Sequence, residues 1–286
     1  MPEYIGRFAP SPTGPLHMGS LLAALVSYLD ARKNNGQWLV RIEDIDPPRE
    51  QPSSVEQILR TLEIHGFHWD QEIRYQSSCT ELYEAALSKL YEKGLCYWCP
   101  CSRKQLAERH GEHLPSCGKS TGKHLNHCAL RFRGSGISYK WPDLLLGSKE
   151  QTIDNDFILK RRDGLYSYQL AVVADDIDQR ISHVIRGADL LDSTPMQLAL
   201  YEALDAAPPK FGHFPLVVNK DGQKFSKQNF APAVNDQTPL DNLGVLSKWL
   251  GMTIPTPPPS HPESYLKTLA QQWGRTSFES KNNYVL

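Results

Sequence analysis

The stretch from Arg7 to Ser20, RFAPSPTGPLHMGS, constrains the fold of this chain more than any other feature. It joins a strand-like segment, EYIGRFAP, to a helix-like one, GSLLAALVSYLDARKNNG, which stops at Asn and Gly. The next segment, QWLVRIEDID, alternates like a second strand. Strand, turn, helix and strand make a βαβ unit, so the sequence predicts an α/β fold.

The turn itself has the composition of a phosphate-binding site. Such sites occur where a strand leads through glycines into a helix, because the first N–H groups of the helix point outward. Gly14 permits the bend, Gly19 permits close approach of a ligand, and His17 can reach the phosphates. A tight turn with an exposed His17 is the alternative interpretation, and for this turn alone it is the commoner case.

The rest of the chain divides into segments of different pattern. We expect further helices at SSVEQILRTLEIHG, CTELYEAALSKLYEKG and STPMQLALYEALDA, and strands at LYSYQLAVVADDID, SHVIRGADLL and FPLVVNK. From LCYWCPC to about Trp141 the periodicity is poor, which indicates a small insertion rather than more sheet. The predicted division is the first half of the α/β domain at 1–95, an insertion at 96–164, the second half at 165–240 and a short helical tail at 241–286.

Composition limits the classes of protein that remain. The chain has 286 residues, of which 40% are hydrophobic, and a net charge of −1, so it is long enough for a sizeable core. Because the net charge is close to zero, any nucleic-acid partner must be met by a local basic patch. We find no leader-like start and no apolar run of bilayer length, and five of the six cysteines fall within 96–128. We expect a monomeric, cytoplasmic protein that binds a metal and has no membrane partner.

A second motif, KFSKQ at Lys224 to Gln228, pairs with the opening turn. Alone it is a basic loop. Together, HMGS and KFSKQ resemble the HIGH and KMSKS signatures of class I aminoacyl-tRNA synthetases, in the same order. With RIEDIDPPR and SHVIRGADLLDSTPMQ added, the four blocks resemble the catalytic core of glutamyl-tRNA synthetases. Ser20 replaces the last His of HIGH and Gln228 replaces the last Ser of KMSKS.

The charges in these blocks suit free glutamate, which carries two carboxylates and one ammonium group. Arg7 and Arg186 can each form a bidentate pair with a carboxylate, and Glu43 can bind the ammonium. Tyr168 can supply a hydroxyl or close a wall, and Ser11 can donate to a carboxylate. The resemblance implies the same positions. The alternatives are a structural ion pair between Arg7 and Glu43 and a core position for Tyr168.

The clustered cysteines and histidines offer several ligand sets for zinc. The candidate spacings are Cys96-x2-Cys99, Cys99-x-Cys101, His113-x3-Cys117 and His124-x3-Cys128. The spacings alone leave the choice open. Short relatives of glutamyl-tRNA synthetase carry Cys-x-Cys followed by Tyr-x3-Cys, and this resemblance implies one structural Zn²⁺ on Cys99, Cys101, His113 and Cys117. His113 stands in place of the tyrosine, and imidazole is the better zinc ligand.

The chain also resembles the glutamyl-queuosine tRNA(Asp) synthetase family over its whole length. Glutamyl-tRNA synthetases continue past their KMSKS loop into a large anticodon-binding domain, whereas residues 229–286, with the proline-rich PTPPPSHP, are too few for one. The resemblance implies a Rossmann-like class I catalytic domain with a zinc-bearing insertion, a short helical tail and no anticodon-binding domain. It also implies ATP-dependent activation of L-glutamate, followed by transfer to queuosine in tRNA(Asp).

The expected chemistry needs no protein base, because a carboxylate is already the nucleophile. His17 and the backbone near Gly14 and Gly19 would face the ATP phosphates. Lys227 would neutralise charge as pyrophosphate leaves, with Lys224 as the secondary candidate. Mg²⁺ is expected to arrive with ATP.

Three other functions are compatible with parts of the pattern. One is a truncated glutamyl-tRNA synthetase that charges a tRNA 3′ end. Another is a different nucleotidyltransferase with a HIGH motif, although the charges at Arg7, Glu43 and Arg186 fit glutamate. The third is a non-enzymatic RNA-binding paralogue, which would be favoured by decayed motifs.

Overall fold

The computed structural model describes residues 3–109, 117, 128–218, 232–254, 256–275 and 283–285 of the chain. In chain order the strands are β1 (Ile5–Phe8), β2 (Gln37–Ile42), β3 (Arg74–Tyr75), β4 (Cys96–Cys99), β5 (Ala129–Phe132), β6 (Ser138–Asp143), β7 (Gly147–Thr152), β8 (Phe157–Lys160), β9 (His183–Gly187), β10 (Lys210–Phe214), β11 (Leu216–Val218) and β12 (Asn283–Val285). The α-helices are α1 (Met18–Lys33), α2 (Ser54–Ile64), α3 (Thr80–Glu92), α4 (Arg103–Glu108), α5 (Tyr168–Asp178), α6 (Thr194–Ala203), α7 (Pro239–Trp249) and α8 (Pro262–Gln272).

Five strands in the order β3-β2-β1-β9-β10 form the central layer of the molecule, as a three-stranded sheet and a two-stranded sheet that meet where β9 lies beside β1. β1 pairs with β2, β2 with β3, and β9 with β10, all in parallel. The start of β9 lies beside β1, where the Ser182 N–H donates to the Ile5 carbonyl at 2.9 Å. The chain therefore places β2 and β3 on one side of β1 first, and β9 and β10 on its other side later. Crevices for ligands form at such a reversal, at the carboxyl ends of the strands.

Two hydrophobic cores cover the two faces of this layer of strands. Successive side chains of a strand point to opposite faces. Accordingly, Trp38 and Val40 belong to the core that contains α1, α7 and α8, whereas Leu39 belongs to the core that contains α3, α5 and α6. Both faces are buried, so the strands are fixed in place and can hold charged side chains at their carboxyl ends.

The opening βαβ unit is confirmed as β1, α1 and β2, and the helices expected over the next two segments are confirmed as α2 and α3. The helix expected at STPMQLALYEALDA is α6, and the tail contains the two short helices α7 and α8. Among the described helices, none combines the length and the apolar character that a membrane span requires.

The region after Cys96 contains more sheet than we expected. β4 pairs with β5 and β5 with β8, all antiparallel, and β6 and β7 form a hairpin. The prediction of an insertion without sheet was therefore wrong for its described residues. For the hairpin, the reason is that β6 buries only some of its positions, so that exposed polar residues interrupt the apolar pattern.

The segment LYSYQLAVVADDID was predicted as a strand and is instead helix α5. Ser167 caps it by accepting the Leu170 N–H at 3.3 Å. Residues 170–176 are all buried. A helix that is buried on nearly every side shows no apolar stripe of period 3.6, so its sequence reads as a continuous apolar run.

Candidate active site

A cavity of about 390 Å³ opens at the carboxyl ends of β1, β2 and β9, where the strand order reverses. It is lined by seven of the residues singled out from the sequence, namely Arg7, Ser11, His17, Gly19, Glu43, Tyr168 and Arg186. These residues come from distant parts of the chain and meet because parallel strands end at one edge of the sheet. The cavity also contains Asp189, which the sequence analysis did not select.

Arg7 is compensated by a carboxylate inside the protein. Its Nε and Nη2 donate to the two carboxylate oxygens of Asp176, on α5, at 3.3 and 3.4 Å. Arg41 Nη1 lies 2.7 Å from the same carboxylate. Burial alone would raise the pKa of Asp176, but the charges of Arg41 and Arg7 hold it below its usual range. The partner of Arg7 is thus Asp176, and the ion pair with Glu43 that we considered is not formed.

Glu43 follows β2 and lines the cavity, with 9% of its side chain exposed. Its own N–H donates to the Pro10 carbonyl at 3.0 Å, which anchors the backbone at this point. Burial raises the pKa of the Glu43 carboxyl to about 7, although the Arg41 and Arg7 charges act in the opposite direction. Arg41 Nη2 lies 3.8 Å from Glu43 Oε1. The carboxylate is therefore only partly satisfied and is free to accept a positively charged ligand group.

Arg186, on β9, is surrounded by neutral groups. Its guanidinium donates to His213 Nε2 (3.0 Å), Gln197 Oε1 (2.8 Å), Thr194 Oγ1 (3.0 Å), the Leu190 carbonyl (3.2 Å) and Tyr168 Oη (3.5 Å). Among the described residues, no carboxylate lies within ion-pair distance of it. Burial without such a partner lowers the pKa of Arg186. A buried cation at a cavity wall is stabilised when an anion binds there.

The amino end of α1 faces the same cavity. His17 precedes the helix, where its Nδ1 accepts the Ser20 N–H at 3.2 Å and its Nε2 lies 2.9 Å from Ser20 Oγ. Ser20, which departs from the HIGH signature, thus bonds to the histidine of that motif. The free N–H groups and the helix dipole make this end suitable for a phosphate.

Gly14 shapes the turn and does not line the cavity. Its φ is 127°, a backbone conformation that side chains disfavour, and a Cβ there would lie 3.3 Å from Gln51 Oε1. The glycine is required by the bend, as the sequence indicated.

The two lysines of KFSKQ, Lys224 and Lys227, lie outside the described residues. The chain that follows this motif does return to the cavity. Ala233 forms an antiparallel bridge with His17, and the Val234 N–H donates to the Leu16 carbonyl at 2.8 Å.

Three of the four expected metal ligands lie together at the start of the insertion. The ligand atoms of Cys99, Cys101 and Cys117 are all within 4.8 Å of one another. Burial and the neighbouring Cys101 and Cys99 thiols raise the pKa of the Cys117 thiol to about 12, so a metal ion must displace its proton. The fourth expected ligand, His113, is outside the described residues. The donor set suits a soft or borderline cation such as Zn²⁺.

Sequence reasoning missed the residues that hold the two arginines. They are Asp176 beside Arg7, and Gln197, Thr194, His213 and Asp143 around Arg186. One sign was available for Asp176. Charged residues in an apolar run such as LAVVADD are seldom buried without a partner. No local sequence pattern marked the four residues around Arg186.

The fold and the site together define a class I tRNA synthetase catalytic domain. The family model described as tRNA synthetases class I (E and Q), catalytic domain, matches residues 5–250. A solved glutamate-tRNA synthetase from Elizabethkingia anophelis has the same fold, with a TM-score of 0.83 at 23% identity, over 99% of this chain and 68% of that one.

Curated relatives narrow the family further. A Glutamyl-Q tRNA(Asp) synthetase from Vibrio cholerae serotype O1 is 44% identical over 257 residues, 89% of this chain and 84% of the relative. One from Pseudomonas entomophila is 46% identical over 276 residues, 95% of this chain and 93% of the relative. The chain belongs to the glutamyl-Q tRNA(Asp) synthetase family of class I tRNA synthetases.

Proposed function

We propose that this enzyme activates L-glutamate with ATP to form glutamyl-adenylate, and transfers the glutamate to the queuosine base at the wobble position of tRNA(Asp). The family membership supports the acceptor. One structural observation supports glutamate as the amino acid. The buried Arg186 lacks a carboxylate partner among the described residues and shares a cavity with the acid Glu43. This cavity offers a cation to a carboxylate and an anion to an ammonium group.

In the activation step, a carboxylate oxygen of glutamate attacks the α-phosphorus of ATP. The bond from that phosphorus to the bridging oxygen breaks, and pyrophosphate leaves. His17 and the N–H groups at the start of α1 would hold the phosphates. Lys227, with Lys224 as a second candidate, would neutralise the leaving pyrophosphate. The return of the chain to His17 at Ala233 supports this placement of the motif. Mg²⁺ would enter bound to ATP.

In the transfer step, a hydroxyl of the queuosine diol attacks the carbonyl carbon of the adenylate. AMP leaves, the hydroxyl proton is released, and an ester forms. Bases and hydroxyls in an anticodon loop are unstacked and accessible, whereas those in paired RNA are not. Binding the loop at the catalytic cavity requires only the part of the enzyme that holds the adenylate.

Pyrophosphate exchange and acceptor mapping test this function. We expect ATP–pyrophosphate exchange that depends on L-glutamate and needs no tRNA. Labelled glutamate should then enter tRNA(Asp) that carries queuosine, and also its isolated anticodon stem–loop. Transcripts with guanine at the wobble position serve as the control and should accept none. Transfer that requires the 3′-terminal adenosine and ignores queuosine would instead identify a glutamyl-tRNA synthetase that charges the 3′ end.

We also propose one structural Zn²⁺ on Cys99, Cys101, Cys117 and His113. It would order the insertion, expected at 96–164, and leave no open position for catalysis. Metal analysis of the purified protein should give about one zinc per chain. Cys101→Ala should release it. The matched control is Cys128→Ala, which should retain it because Cys128 lies outside the thiol cluster. Full retention in Cys101→Ala would refute the assignment.

A further inference from the structure

Behind Arg186 lies a chain of buried hydrogen bonds that ends on a carboxylate. Arg186 Nε donates to His213 Nε2 at 3.0 Å, and His213 Nδ1 lies 2.5 Å from Asp143 Oδ2. The side chains of His213 and Asp143 are fully buried. An arginine Nε can only donate, so His213 Nε2 must accept. The imidazole proton therefore resides on Nδ1 and is donated to Asp143.

Asp143 is itself held rigidly at the end of β6. Its Oδ1 accepts three backbone N–H groups, from His213 at 3.0 Å, Leu145 at 3.1 Å and Leu146 at 3.0 Å. Oδ2 is left to point at the imidazole. The carboxylate comes from the β6–β7 hairpin, and the histidine comes from β10 of the parallel sheet. Asp143 of the hairpin is thus connected through His213 to Arg186, which lines the cavity.

We propose that Asp143 and His213 are positioning residues that fix the guanidinium of Arg186 for a ligand carboxylate. Asp143 selects the tautomer of His213, and His213 in that tautomer is the acceptor for Nε of Arg186, beside the acceptors that bind its two Nη groups. This inference rests on the proposed function, in which Arg186 binds glutamate. The arrangement leaves Arg186 oriented by a carboxylate that does not pair with it directly.

A role for His213 in packing alone makes a different prediction. In that case any substitution of similar size would act alike, and the identity of the ring nitrogen would not matter. In the positioning role, loss of the acceptor at Nε2 leaves a buried donor without a partner, which is costly. Loss of the contact at Nδ1 with the acceptor retained should cost much less.

Two amide variants separate the ring nitrogens. The Gln side chain can place its oxygen where His213 Nε2 lies, whereas the Asn side chain can place its amide only where Nδ1 lies. We expect His213→Asn to raise the KM for glutamate at least about tenfold in pyrophosphate exchange, with the KM for ATP unchanged. His213→Gln should remain within about threefold of the wild-type KM for glutamate. Equal losses in both variants, or wild-type behaviour in both, would overturn the proposal.

Asp143→Asn provides a test without turnover. The amide oxygen would keep the three backbone N–H groups, so the amide nitrogen would face His213 Nδ1 and move the ring proton to Nε2. Nitrogen NMR of labelled histidine should show a protonated Nδ1 in the wild-type protein and a protonated Nε2 in this variant. A proton on His213 Nε2 in the wild-type protein would refute the proposed chain from Asp143 through His213 to Arg186. Absence of glutamate-dependent exchange in the wild-type enzyme would instead refute the proposed function. The tautomer of His213 would still test the chain from Asp143 to Arg186.

Discussion

Arg7 and Arg186 lie on the adjacent strands β1 and β9 and line the same cavity, yet the fold compensates their charges differently. Arg7 forms a two-pronged pair with the buried Asp176, which also receives Arg41 at 2.7 Å. Arg186 contacts a ring of neutral acceptors, and the carboxylate behind it, Asp143, is reached only through His213. Both guanidinium groups are buried.

The difference indicates which arginine depends on a ligand. A buried ion pair adds little net stability, because both charges lose their hydration when the protein folds. Removal of one partner is nevertheless strongly destabilising, because it leaves an unpaired buried charge. Arg7 and Asp176 therefore belong to the fold as much as to the site. Among the described residues, Arg186 has no carboxylate within ion-pair distance, so a carboxylate that binds at this wall of the cavity would be its direct ionic partner.

The largest effect should come from replacing Arg186 and Arg7 by Met in parallel. We expect Arg186→Met to lower kcat/KM for glutamate on the order of 10³-fold, because a buried carboxylate loses its charged partner. Its free energy of unfolding should fall less than that of Arg7→Met, which leaves Asp176 with Arg41 alone. Exchange kinetics and urea unfolding measure the two quantities. A larger loss of stability in Arg186→Met would contradict the comparison.

The next effect concerns Asp176. Asp176→Asn should lower the free energy of unfolding by about 3 kcal/mol, since it removes the charge that compensates Arg7 and Arg41. The same pairing predicts a pH dependence. The pKa of Asp176 is depressed in the folded protein, so its contribution to stability is present above its unfolded pKa and is lost as the pH falls through the folded value. Urea unfolding of the variant should lack that part of the acid dependence.

A smaller effect is expected from the titration of Glu43. Its pKa is raised to about 7 by burial, so the carboxyl is mostly protonated at lower pH and cannot pair with an ammonium group. The KM for glutamate should rise by up to about tenfold for each pH unit below this value, in proportion to the protonated fraction. Glu43→Gln should have a high KM without that pH dependence. A wild-type KM that is constant from pH 5.5 to 8 would exclude Glu43 as the ammonium partner.

The smallest effect should be that of Tyr168→Phe. The Tyr168 hydroxyl is 3.5 Å from Arg186 Nη1, at the limit for a hydrogen bond, and Arg186 keeps shorter bonds to Gln197 and Thr194. We expect the KM for glutamate to change less than about threefold, which would make Tyr168 a wall of the cavity. A change as large as that of His213→Asn would show that the hydroxyl contacts the substrate.

Much of the fold could be predicted from the sequence because its patterns are local. The turn before α1 needs a glycine of positive φ, and Gly14 supplies it. The regular spacing of apolar residues marks α2 and α3. The same reasoning failed for α5, whose burial on nearly all sides removes the stripe, and for the hairpin β6–β7, whose exposed positions hide the alternation.

The sequence by itself selected Arg7, Glu43, Tyr168 and Arg186 as candidates, because they are in blocks that resemble one family, and these four residues do line one cavity. Only the tertiary structure decided how the two arginines are compensated. Asp176 is 169 residues from Arg7, and Asp143 is 70 residues from His213. Ion pairs at such separations depend on which strand ends and helices meet at the crevice. No local pattern encodes that meeting, because it is set by the order of the strands and the packing of both cores.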